Sequence, residues 1–160
     1  MIVVIAILAA ITIVSYNGIQ QRARNTATIS TVRQVNNLVL LYETQMGKLP
    51  YEDSATLCAT LDKKCTTYDT TSIDGTDNSL LMTELAKVGS VPPTQPPSNG
   101  PGRGVVYNAW NDPIRTNGGH SPLHFIYWLE GNNQNCVMSR VMSKSNEGSQ
   151  TYCEIEVGSS

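Results

Sequence analysis

The sequence predicts an α+β fold in which one long N-terminal α-helix packs on a C-terminal antiparallel β-sheet. Three observations predict it. Residues 1–14 are apolar except for Thr12. Beyond them, apolar residues recur at helical spacing as far as Met46. From residue 104 onward, short β-branched or aromatic runs alternate with turn-rich stretches.

The chain has 160 residues, enough for one domain with a substantial core. Charged residues make up only 15% of it, and the net charge is -2 with a pI near 5.6. That balance argues against bulk binding of nucleic acid or anionic membrane by the domain as a whole. The four cysteines are Cys58, Cys65, Cys136 and Cys153. An even count in a chain rich in Ser, Thr, Asn and Gly points to disulfides and an oxidising, extracytoplasmic setting. The competing reading is four buried thiols in a reducing compartment.

The opening segment admits three readings. A membrane span needs about 20 apolar residues, and a shorter run is commonly a core helix or the apolar region of a signal peptide. Against a signal peptide, no basic region precedes the run and no small-x-small site closes "ITIVSYNG". Against a core helix, Ile, Val and Leu surround the segment on every side, so a small domain would have to wrap it completely. The remaining reading is a membrane helix whose first part lies upstream of Met1.

The continuation favours that reading. Ile19, Ala23 and Ala27 are followed by Val32, Val35, Val39, Tyr42 and Met46, the last five stepping by three and four along one face. Arg22, Arg24, Arg33, Gln34, Asn37 and Glu43 face away. Gly47 stands where a C′ glycine ends a helix, and Pro50 prevents a restart. The simplest element is one helix from Ile2 to Met46, about 65 Å long at 1.5 Å per residue. Its first third is apolar all round and its remainder amphipathic. The chain therefore divides into an apolar segment, 1–18, and a head, 19–160. Within the head the helix half is 19–46, a helical and loop region 47–103, and the sheet 104–160.

In the middle region, Asp53 or Ser54 caps a short helix carrying Leu57 and Leu61, with Cys58 and Cys65 closing one turn and the following loop. "TDNSLLMTELAKVG" is a second short helix, capped by Asp77 or Asn78, with Leu81, Leu85 and Val88 inward and Gly89 at its end. "SVPPTQPPSNGPGRG" reads as a packed Pro/Gly loop. The strands are "GVVYNAW", "LHFIYWLEG", "CVMSRVMS" and "TYCEIEVG", joined by the turns "NDPIRTNGGHSP", "NNQN" and "KSNEGSQ" into an antiparallel meander. The amphipathic helix half is the available cover for one sheet face. Four cysteines allow three pairings. The local pairs 58–65 and 136–153 need the least rearrangement of the chain and are preferred.

"ILAAITIVSYNGIQQRARN" followed by "LYETQMGKLP" resembles the N-terminal helix of type IV pilins and type II secretion pseudopilins. The matching positions are Leu8 to Ile11, Tyr16, Tyr42, Gly47 and Leu49-Pro50. They cover the first third of the chain; the rest matches in architecture only. The resemblance implies a surface-filament subunit that sits in the inner or cytoplasmic membrane before assembly and then in an extracellular filament. Its partners would be copies of itself or other pilins, with a prepilin peptidase as processing enzyme. Polymerisation would run through Ile5, Ala6, Leu8, Ala9, Ala10, Ile11 and Ile13, and the 136–153 loop would correspond to the pilin C-terminal disulfide region. Two departures stand out. The basic leader, its cleavage glycine and the glutamate near the mature N-terminus are absent, so Met1 falls inside the family's apolar segment. Val14 replaces the helix-weakening proline, and Gly18, preceded by Asn17, would supply that weakness at about 1 kcal/mol relative to Ala.

No catalytic, metal or cofactor site is legible. His120 and His124 are the only histidines and read as exposed or turn residues without zinc partners. "GPGRG" lacks the Lys-Ser/Thr of a phosphate loop, and no strand–Gly-x-Ser-x-Gly–helix context occurs. The Asn-rich loops "EGNNQN" and "NDPIRTN" read as turn chemistry rather than Ca²⁺ ligands. Arg22, Arg24 and Arg33 are candidate nucleic-acid contacts, but on a stalk their expected neighbours are solvent or another subunit's carboxylates. Two functional readings from different classes follow. One is a filament subunit, either a pilin or a secretion or competence pseudopilin. The other is a membrane-anchored extracellular binding module. An amphipathic extension of about seven turns, together with the small residues Ala6, Ala9 and Ala10, suits polymerisation better than simple anchoring. The resemblance further predicts an in-frame extension upstream of Met1 encoding a basic leader, a cleavage glycine and a glutamate soon after it. The genomic sequence decides this, and a stop codon directly upstream would overturn it.

Overall fold

The valine stripe of the long helix determines the layout, because it needs an apolar surface of matching length. The computed structural model describes residues 2–51, 55–66, 77–109, 123–138 and 140–157; for residues 2–15 the description is of backbone. Helix α1 spans Ile2–Met46 without interruption. It is followed by β1 (Ala55–Cys58), α2 (Ser79–Ala86), β2 (Val105–Ala109), β3 (Leu123–Glu130), β4 (Val141–Glu147) and β5 (Gln150–Val157). The five strands form one fully antiparallel sheet in the order β1-β2-β3-β5-β4.

β3 is the centre of this sheet and is buried on both faces. Its side chains alternate with period two. Leu123, Phe125, Tyr127 and Leu129 join Val32, Val35, Leu38 and Val39 of α1 in the main core. Leu81, Met82 and Leu85 of α2 complete that layer. Ile126 and Trp128 point the other way, into a second cluster with Cys58, Cys65, Val106 and Tyr152. The Pro/Gly loop, expected to be packed, lies against this second face, with Gly102 beside Trp128 and Gln150. Gln150, only 1% exposed, holds the loop there by accepting from the Gly102 amide at 2.9 Å and donating to the Gly102 carbonyl at 2.7 Å. A Cβ at Gly102 would lie 2.3 Å from the Trp128 ring, so only glycine permits this approach. α1 ends at Gly47 in the left-handed conformation, φ +71, with its amide donating to the Glu43 carbonyl.

The structure departs from the sequence expectations at several points. The segment expected to be a helix around Leu57 and Leu61 is strand β1, paired with β2. A strand sends Leu57 into the main core and Cys58 to the opposite face, where it bonds Cys65; Leu61 is exposed. The sheet therefore begins well before residue 104. The expected caps Asp53 and Ser54 lie outside the described residues, as do Trp110 and the turn through residues 111–122. In α2, the side chain of Asp77 accepts from the Ser79 amide, whereas Asn78 turns inward and donates to the Cys58 and Thr60 carbonyls. The inner face is Leu81, Met82 and Leu85, with Val88 at its edge. Gly89 lies beyond the helix, against Leu38.

The strand expected at "CVMSRVMS" starts five residues later, at Val141, and runs through the expected turn as far as Glu147. The meander is broken as well, since β5 lies between β3 and β4. Burial explains both differences. β5 is apolar enough to be covered, whereas β4 is a polar edge strand with nearly every residue exposed. On α1, Met46 is 45% exposed, because the chain turns back at Gly47 and it is Leu49 and Tyr51 that pack on the core.

Both preferred disulfides form, Cys58–Cys65 and Cys136–Cys153. Cys136–Cys153 anchors the irregular segment after β3 to the middle of β5. Mass spectrometry of unreduced protein should find no alkylatable thiol, and four would refute the pairing. Replacing Cys136 and Cys153 by Ser should cost about 3 kcal/mol in denaturant unfolding, and the shorter 58–65 loop about 2 kcal/mol.

Candidate functional site

The sequence concentrates its expected function in the first half of α1, so the candidate site is the stretch where that helix leaves the head. Three residues of the buried stripe, Val32, Val35 and Val39, are fully covered. Continued backward at the same spacing, that stripe runs through Thr28, Asn25 and Gln21, not through Ala27, Ala23 and Ile19. Thr28 is buried, and Ile19 is 65% exposed. The expected apolar series before Val32 thus lies off the packed face. Tyr16, Asn17, Gly18 and Ile19 are all exposed, and a Cβ on Gly18 would meet nothing within 4 Å. Gly18 serves no close packing inside the chain, and the helix passes through it unbroken.

A polar clasp marks the exit. Arg24 makes a two-pronged contact with Glu130 at the end of β3, Nε to Oε1 at 2.6 Å and Nη2 to Oε2 at 2.7 Å. The backbone of Glu130 is held as well. Gln21 and Asn25 donate to its carbonyl at 2.7 and 3.0 Å, and its amide donates to Asn25 Oδ1 at 2.7 Å. The Asn99 amide of the Pro/Gly loop donates to Glu130 Oε1 at 2.9 Å. One residue therefore joins helix, sheet and loop. Burial works to raise the Glu130 carboxyl pKa, but the bond from Arg24, the Asn99 amide and the Arg24 charge together hold it below its ordinary 4.5. The geometry is that of a charge-assisted, bidentate pair. Arg24 thus has a carboxylate of its own chain, where a neighbouring subunit's carboxylate or solvent was expected.

Ile5, Ala6, Leu8, Ala9, Ala10, Ile11 and Ile13 are all within α1, and their side chains lie outside the described residues. Among the described residues no helix is long and apolar enough to cross a membrane. His120 and the loop 111–117 lie outside the described residues. His124 lies on a strand, as expected, but it is not exposed. It is buried on β3 with Nδ1 2.9 Å from Glu154 Oε1, because the even β3 positions face the second cluster. Among the described residues no three His, Cys, Asp or Glu side chains are grouped to hold a metal ion. Sequence reasoning missed Gln21, Asn25, Asn99 and Glu130. The available signal was the unbroken spacing of Gln21, Asn25 and Thr28 with Val32, polar residues extending an apolar stripe.

No protein-family model matches the chain, and no curated protein or solved structure matches it.

The depressed Glu130 pKa fixes the sign of a pH effect. Its contribution is fully present above the unfolded-state value and is lost as pH falls through the lower folded-state value. Glu130→Gln should lower the melting temperature by a few degrees at neutral pH and flatten the acid limb of the stability curve. A variant whose melting temperature keeps the wild-type acid dependence would remove Glu130 from that role.

Proposed function

We propose that this chain is a structural subunit of a type IV pilin-like surface filament, polymerising through the first half of α1. The observation that carries this reading is the division of one continuous helix. Its second half is covered by the sheet, whereas Tyr16 and Ile19, beyond the clasp, stand 62% and 65% exposed and lead into a segment that is apolar on every side in sequence. A helix with no polar face requires an apolar environment, in a bilayer or among other helices. The resemblance of "ILAAITIVSYNG" and "LYETQMGKLP" to pilin helices supports the same reading, as do the two disulfides. In this reading the apolar segment sits in the membrane before assembly and among the helices of neighbouring subunits afterwards, and the head is displayed outside the cell.

A charge in the apolar segment should therefore be far more damaging than one in a head loop. A buried, unpaired carboxylate costs several kcal/mol. Ala10→Asp should abolish filaments in sheared surface fractions while both disulfides still form. Asn133→Asp should leave filaments intact, since its Oδ1 still accepts from Asn146. Wild-type filament yield from Ala10→Asp would make the segment a plain anchor and favour an anchored binding module.

A further inference from the structure

The dipeptide Asn-Gly occurs three times, at Asn17-Gly18, Asn99-Gly100 and Asn117-Gly118. The third pair lies outside the described residues. The other two stand in opposite surroundings. Asn17-Gly18 is inside α1, where the Gly18 amide is committed to the carbonyl four residues earlier. Asn99-Gly100 is in the Pro/Gly loop, outside any helix or strand, and Asn99 is exposed. The Asn99 backbone amide donates to Glu130 Oε1, whereas no hydrogen bond holds its side-chain carboxamide among the described residues. The Gly100 amide is weakly held, by a long bond of 3.3 Å to Ser98 Oγ. Glycine is required at this position, because a Cβ there would lie 1.9 Å from Cδ of the buried Gln150. The glutamine that pins the loop therefore demands a bare backbone directly after an exposed asparagine.

We propose that Asn99 is a site of spontaneous deamidation, with water as the only co-reactant. The Gly100 backbone nitrogen loses its proton to solvent base and attacks Cγ of Asn99. The new Cγ–N bond closes a five-membered imide, the Cγ–Nδ2 bond breaks, and ammonia leaves. Water then opens the imide at either carbonyl. One opening gives aspartate. The other gives isoaspartate, in which the chain runs through Cγ and carries an extra backbone CH2. Nothing is oxidised or reduced. A side chain on the following residue hinders the attack, and glycine has none. In α1 the same pair is protected, because the helix must open locally before the Gly18 nitrogen is free. Conversion strikes the place where the loop meets the clasp. The Asn99 amide is held by Glu130 and Gly102 by Gln150, so an added CH2 must be taken up within Gly100 and Pro101. Both products also bring a second carboxylate close to that of Glu130, and like charges oppose each other there. The converted chain is therefore less stable, and the age of a molecule is recorded where α1 leaves the head.

The test incubates the full chain, held in detergent, at physiological temperature and mildly alkaline pH. Peptide mapping by mass spectrometry follows each Asn-Gly pair, and an isoaspartyl methyltransferase with a labelled methyl donor reads isoaspartate. The same chain, reduced and unfolded in guanidinium, gives the intrinsic rate of each pair. Folded protein should convert Asn99 about tenfold or more faster than Asn17, since helix interiors open rarely. The unfolded chain should convert the two at similar rates. Aged wild type should melt lower than fresh protein, by an amount that follows the converted fraction. Asn99→Gln should melt like fresh wild type and should not change on ageing. Alkylation confirms that each sample has kept both disulfides. Asn99 left intact in the folded chain while the unfolded chain converts it overturns the proposal. Equal conversion of Asn17 and Asn99 in folded protein reduces the reaction to global unfolding and also overturns it. Full conversion with an unchanged melting curve overturns the effect on the clasp.

Discussion

Burial of β3 on both faces is the constraint on which the rest of the fold depends. A central strand carrying Leu123, Phe125, Tyr127 and Leu129 on one side and Ile126 and Trp128 on the other needs two covers. α1 and α2 supply the first, with α1 lying chiefly against β3 and also against β2. Among the described residues no helix supplies the second. It is assembled from the Pro/Gly loop, the Cys58–Cys65 bridge and the Trp128–Tyr152 ring pair, with ring centroids 5.9 Å apart. Gln150 is buried so that the loop backbone has polar partners there. An irregular cover exposes more backbone polar groups than a helix does, and a side chain with both a donor and an acceptor satisfies them.

At the rim of the first cover the requirement changes. Water reaches the interface where α1 leaves the sheet, so apolar contacts there have less surface to bury. Gln21, Arg24 and Asn25 replace valine at the same helical spacing, and Glu130 answers them with both backbone and carboxylate. Several directional bonds to one residue fix a crossing point more sharply than a valine contact can, because each bond has its own preferred distance and angle.

How much of this was legible in sequence depended on what each residue packs against. α1 was readable to its last residue because its stripe is strongly periodic and Gly47 has a single conformational role. The strands β2, β3 and β5 were readable because they are buried and therefore rich in β-branched and aromatic side chains. β4 was misplaced because an edge strand is solvated, and "KSNE" has turn-like composition. β1 was misread as a helix because Leu57 and Leu61 also fit a helical period; a four-residue strand has too few residues to outvote it. The strand order 3-5-4 was not legible, since it follows from which strand can tolerate an edge. The clasp was missed for a related reason. Gln, Arg and Asn on a helix read as a solvated face unless their phase is compared with the apolar stripe, and Glu130 is 105 residues from Asn25.

The clasp and the second disulfide reinforce each other through the chain between them. Directly after Glu130, the Gly131 amide donates to the Ser149 carbonyl, Thr151 Oγ1 donates to the Gly131 carbonyl, and the Gln134 amide donates to Thr151 Oγ1. Two residues later Cys136 is bonded to Cys153. The segment that holds α1 is thus fastened to β5 by hydrogen bonds and then by a covalent bridge. A helix held only by its valine stripe could slide or pivot at modest cost, because apolar contacts are non-directional. A helix held at Glu130 cannot pivot without disturbing the end of β3, and β3 cannot yield without opening both cores. The position at which α1 leaves the sheet is therefore set by the residue that ends the central strand, through bonds to its amide, its carbonyl and its carboxylate.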